Sequence, residues 1–169
     1  MRAARAPRVG GARQHTHEAG ANNIMPPFID SEIDMSKTTP EQNKALVLEA
    51  FDTLFNQRDY AAAERFWSDN YIQHSAHIAP GRDGLFNLIR TLPAALRYEN
   101  QLIVAEGDYV IAHGRFSGHG RPRAWIAADV VRIENGKLAE HWDVLQDEAT
   151  QAESASGLPM FGGTFANEQ

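Results

Sequence analysis

The chain contains no cysteine, which removes disulfides, thiolate metal sites and cysteine nucleophiles from consideration together. Basic charge is also scarce: 16 Lys and Arg stand against 22 Asp and Glu, a formal net charge of -6. No basic run interleaved with aromatics follows the first residues, so no nucleic-acid partner is expected. No apolar run approaches the roughly 20 residues that cross a bilayer, and no apolar signal core opens the chain. A soluble, cytoplasmic protein without membrane contact is the expectation. Equally absent are a G-x-S-x-G elbow, a phosphate loop, a dinucleotide fingerprint and an H-E-x-x-H pair. Neither a cofactor nor a metal site is therefore expected.

What is present divides into three parts. Residues 1–38 hold Arg, Gly, Pro and Asn with almost no apolar periodicity, and read as a disordered extension. Residues 39–150 carry the periodic segments of one folded domain, and residues 151–169 form a Gly- and Ser-rich tail. The domain opens at Thr39-Pro40-Glu41-Gln42, where Thr caps, Pro suits the first helical position and Gln completes a capping box. Val47, Ala50, Phe51 and Leu54 then recur at helical spacing, predicting a helix to about Arg58. Asp59 is placed to cap a short helix over YAAAERFW, and Asp83 a third over GLFNLIRTL that stops at Pro93.

After Pro93 the pattern changes from helix to strand. Strands are predicted over 98–106, 108–118, 125–134 and 137–146, with a shorter extended piece at YIQH, residues 71–74. The joints are short, so neighbours run antiparallel and the back half is a meander. Helices first and strands later predict an α+β fold in which about three helices cover the concave face of a curved sheet.

The last two strands meet at Asn135-Gly136, a dipeptide suited to a tight hairpin turn. Continued regularly, the ladder sets Ile133 opposite Leu138, Val131 opposite Glu140 and Asp129 opposite Trp142, all facing the helices. His141 and Asp143 then face away, unless a bulge turns Asp143 inward. A carboxylate carried into an apolar pocket must be paired, hydrogen-bonded or kept for proton transfer, which makes Asp129 a candidate base. The quieter reading pairs Asp129 with the Trp142 indole, Arg123 or Arg132. His74 and His113 end short apolar runs at the edge of a core, and histidine is a common proton-transfer residue. His77 and His119, in Gly- and Pro-rich loops, are expected to be exposed.

The pieces YIQH, EGDYVIAH and DVVRIENGKLAEHWDVLQ, in this order within residues 41–147, resemble the SnoaL-like polyketide cyclases of the nuclear transport factor 2-like superfamily. Within that family the wording is similar to a subgroup described as aldol-condensation enzymes. The resemblance implies a cone-shaped α+β fold with a deep apolar pocket, often dimeric through its outer sheet face. It also implies cofactor-free aldol chemistry assisted by an Asp on the last strand, here Asp143, near a His on the strand before. That second position falls at Asp129, a departure from the pattern.

Together these readings nominate Asp129, Asp143, His74 and His113 as catalytic. Tyr71, Trp142, Glu140, Trp67 and Phe51 are expected to contact a small apolar carbonyl compound. The rival reading is a binding or dimerisation module without chemistry. A carboxylate and a His converging on a shared void would favour the enzyme; Asp129 sealed by an arginine, with His74 and His113 apart, would favour the module. An epoxide-hydrolase-like Asp-Arg-Asp set would need Arg132 or Arg115 between two carboxylates, and parity puts Arg132 outside.

Overall fold

A computed structural model describes residues 38–166; most of the expected extension over 1–38 lies outside the described residues. Helix α1 (Pro40–Phe51) starts on the expected box: Thr39 accepts from the Gln42 amide, and the Gln42 side chain accepts from the Thr39 amide. The predicted single helix to Arg58 is instead two pieces, because a π-helical turn over Asp52–Asn56 follows α1 directly. The wider turn buries Thr53, Leu54 and Phe55 in succession, more than one face of an α-helix can. Its end is tied down by Asn56, whose Oδ1 accepts from the Tyr98 amide at 2.8 Å and whose Nδ2 donates to the Tyr98 carbonyl at 3.1 Å.

Helix α2 is only Tyr60–Ala63, capped by Asp59. The chain is already extended at Trp67, so β1 (Trp67–Gln73) absorbs residues expected to be helical. Trp67 is buried against Phe86 of α3 (Gly81–Thr91), ring edge to ring face at 5.4 Å. Asp83 sits in the first turn of α3 rather than capping it. Arg58 holds the far end of α3, donating to the carbonyls of Ile89, Leu92 and Pro93.

Strands β2 (Arg97–Glu106), β3 (Tyr109–Ser117), β4 (Trp125–Glu134) and β5 (Lys137–Asp147) form the expected meander. Strand β1 closes the sheet parallel to β5, giving the order β1-β5-β4-β3-β2. Buried side chains of α1, the π turn and α3 fill the space over its inner face. The architecture is thus the expected α+β arrangement of helices on a mixed, mainly antiparallel sheet. Gly114 lies on that inner face, where a Cβ would stand 2.3 Å from the Tyr98 ring, so only glycine admits the tyrosine.

The hairpin begins as predicted, with Glu134 opposite Lys137 and Ile133 opposite Leu138. Asn135 and Gly136 both have positive φ, 52° and 70°, as a tight hairpin turn requires. The next pair, however, is Arg132 with Glu140, so Ala139 is an extra residue in β5. This bulge comes before Glu140 and reverses the parity of everything after it. Leu138 and Ala139 are both buried, while Val131 faces His141 and Asp129 faces Asp143.

Candidate functional site

Between helices and sheet lies a cavity of about 320 Å³. Phe51, Phe55, Leu85, Ile89, Leu96 and Phe116 form its apolar wall. Its polar end is built by the two paired strands that the Ala139 bulge re-registers. Asp129 on β4 and His141 and Asp143 on β5 all line the cavity, with Tyr71 and Ser75 beside them.

Asp129 is 3% exposed and His141 6%, and His141 Nε2 stands 3.0 Å from Asp129 Oδ1. On its other side His141 Nδ1 meets Gln73 Oε1 at 2.9 Å. The same Gln73 oxygen accepts from the Ser75 backbone N–H at 2.8 Å. A backbone N–H can only donate, so Oε1 is the amide oxygen, and Nδ1 must carry a hydrogen to meet it. With Nδ1 protonated, the 3.0 Å contact at Nε2 requires one further proton between the ring and the carboxyl. Either Asp129 is a neutral acid donating to Nε2, or His141 is an imidazolium facing a carboxylate. Burial pushes the Asp129 carboxyl well above the usual range and Asp143 opposite adds to this, while the bond to His141 pulls it down. Asp129 Oδ2 is buried without a hydrogen-bond partner. Asp143 is half-buried and has no hydrogen-bond or ion-pair partner among the described residues. Burial likewise holds the Tyr71 hydroxyl far above an ordinary phenol, so it stays protonated.

The ligand atoms of Asp129, His141 and Asp143 lie within 4.8 Å of one another, the one such cluster among the described residues. Two carboxylates and an imidazole suit a divalent ion, though no metal was expected from the sequence. An ion would have to displace the proton shared by His141 and Asp129.

Several expected positions are corrected. His74, His113, Glu140 and Trp142 do not line the cavity. Glu140 and Trp142 follow the bulge and so turn to the outer face. There Glu140 accepts from Arg132 and bonds His74, each at 2.8 Å, and the His74 ring stacks on Trp142 at 4.7 Å. Both contacts, His74 first, hold the Glu140 carboxyl below its usual range. His113 alternates with inward Ala112 and Gly114, and its ring lies 6.1 Å from Phe161 of the C-terminal segment. Asp129, Asp143, Tyr71, Trp67 and Phe51 do line the cavity. Among the described residues no arginine seals Asp129: Arg132 bonds Glu140 and Glu134, Arg115 bonds Glu148 and Glu99, and Arg123 bonds Glu153. Histidine, not arginine, stands beside the two carboxylates.

His141 was missed, as was Gln73 behind it. The signal for His141 existed: side chains alternate, so any bulge that brings Asp143 inward brings His141 with it. His119 was expected to be exposed but is 6% exposed and lines the cavity, because Trp125 covers its ring at 4.2 Å.

Among solved structures, TsrD from Streptomyces laurentii is 22% identical over 65% of this chain and 92% of its own, with TM-score 0.54. A provisionally assigned ketosteroid isomerase from Kribbella flavida is 14% identical over 75% and 97%, with TM-score 0.59. An epoxide hydrolase of M. tuberculosis described as LEH-like is 16% identical over 70% and 90%, with TM-score 0.52. These likenesses are of fold. No match was found among curated proteins. The SnoaL-like domain family matches residues 47–141, from α1 through His141, and the chain belongs to that family.

Proposed function

We propose that this protein is a cofactor-free acid–base enzyme acting next to the carbonyl of a small apolar compound, in an aldol condensation, cyclisation or isomerisation. The observation that carries the reading is the Asp129–His141 contact of 3.0 Å at the polar end of an apolar cavity, with unpartnered Asp143 beside it. Asp143 is the base: its carboxylate takes a proton from the carbon next to the carbonyl, and the C–H electrons move onto the carbonyl oxygen. The extra proton of the Asp129–His141 pair lies beside that oxygen and offsets the negative charge that develops on it. The missing arginine counts against the epoxide-hydrolase arrangement.

Solvent deuterium exchange at the carbon next to the carbonyl, read by NMR on carbonyl compounds that raise the melting temperature, tests this directly. Asp143→Asn should slow exchange about 10²- to 10⁴-fold, the usual share of a placed base. Exchange that is equally fast in Asp143→Asn and Asp129→Asn would sink the mechanism. One observation favours a non-catalytic binding module instead: the free oxygen of Asp129 is closed off from contact. In that case stabilising ligands show no exchange at all.

The outer sheet face exposes Leu102, Val104, Tyr109, Ile111 and Val144, an apolar surface suited to a second copy of the chain. The proposed assembly is therefore a homodimer, tested by sedimentation.

A further inference from the structure

The loop between β3 and β4 brings a second polar group to the cavity, at the start of β4 and away from the acid–base residues in its middle. Arg121 lines the cavity with its guanidinium 4.9 Å from the centre of the Trp125 ring. It forms no ion pair or hydrogen bond with any described residue, unlike Arg115, Arg123 and Arg132, which all pair with glutamates. Asp147 stands across the ladder from Trp125 but makes no ion pair with Arg121. Next to it, His119 stacks on Trp125 at 4.2 Å, and both its ring nitrogens are buried without partners. Burial, then Arg121, pushes the His119 ring below its usual range, so it is neutral and keeps an N–H to donate. The buried, unpartnered nitrogens of His119 are costly unless something else engages them, and the exposed Arg121 guanidinium beside them is free to engage the same group.

We infer that Arg121 and His119, over the Trp125 ring, form a subsite for a carboxylate carried by the ligand. One planar guanidinium fork with one further donor matches the two oxygens of a carboxylate. The acid–base end of the cavity repels such a group, since the Asp143 carboxylate stands there, so the ligand binds in one orientation. Trp125 and Asp129 face the same way four residues apart, about 13 Å along a strand. The inferred ligand is an apolar chain or ring system with a carboxylate at one end and its carbonyl roughly that far away. The orientation rests on the acid–base reading, whereas anion binding at Arg121 does not.

Calorimetric titration with decanoate, decanamide and decyl phosphate separates the cases. Wild type should bind decanoate about tenfold or more tightly than decanamide, the worth of one charge-assisted hydrogen bond. Arg121→Met should abolish that preference while binding decanamide as wild type does, which also shows the exposed position tolerates the change. His119→Gln should reduce the preference, and Arg123→Met, at an arginine already paired with Glu153, should leave it intact. Equal binding of decanoate and decanamide, a preference that survives Arg121→Met, or no binding of any probe overturns the subsite. Tighter binding of decyl phosphate than decanoate overturns the carboxylate assignment. Loss of deuterium exchange with the preference retained would refute only the acid–base reading.

Discussion

Gln73 controls where the proton of the site resides, and its replacement by leucine tests that control. In wild type one side-chain oxygen accepts from both His141 Nδ1–H and the Ser75 amide, at 2.9 and 2.8 Å. Leucine is similar in bulk and offers no acceptor, so two donors among buried residues lose their partner. Each such loss costs about 1–3 kcal/mol, hence roughly 2–6 kcal/mol together in urea unfolding. His141 is then free to move its hydrogen to Nε2 and donate to an Asp129 carboxylate, so the pair no longer retains its extra proton. Nitrogen-15 NMR of the imidazole reads this directly. Wild type should show a protonated Nδ1 across the neutral range, and Gln73→Leu should shift the ring toward the Nε2–H form. Gln73→Glu should keep Nδ1 protonated, because a carboxylate accepts the same two bonds. A wild-type His141 with bare Nδ1, or a Gln73→Leu variant as stable as wild type, would refute the assignment.

Other outcomes follow from the same geometry. Burial raises the Asp129 carboxyl, so the folded protein holds a proton that the unfolded chain gives up above about pH 4. That preference stabilises the fold below this pH and is lost as pH rises through the folded value; Asp129→Asn should therefore gain stability relative to wild type as pH rises above about 4 in parallel urea titrations. Gly114→Ala should cost about 1–3 kcal/mol, because its methyl group would enter the Tyr98 ring. His74→Ala should leave deuterium exchange unchanged, since His74 bonds Glu140 on the outer face. Deleting Ala139 should preserve exchange, because the regular ladder then left still sets Glu140 opposite Arg132 and keeps His141 and Asp143 in the cavity.

Most of the fold was legible from local patterns. The Thr39 capping box, the Pro93 stop and the Asn135-Gly136 turn are written in residues a few positions apart, and their preferences act within that span. The π turn was not legible, since Phe51, Leu54 and Phe55 fit an α-helical face equally well. The end of α2 was missed for a related reason: Phe66 and Trp67 are apolar in either conformation, and only the pairing of β1 beside β5 makes Trp67 a strand residue.

The site divides along the same line. Alternation outward from the turn carries Asp129 inward, and the sequence by itself was enough to place that carboxyl in the cavity. The partners of Asp129 depend on where β5 takes its extra residue, and Leu138, Ala139 and Glu140 suit more than one register. Tertiary structure decides it: β5 is paired on both edges, and Leu138 donates to Phe66 on the β1 side while facing Ile133 on the other. That double pairing, fixed by contacts about 70 residues apart in Phe66 and Leu138, sets the bulge at Ala139. It sends Glu140 and Trp142 outward and brings His141 and Asp143 beside Asp129, which no pattern within the hairpin alone could decide.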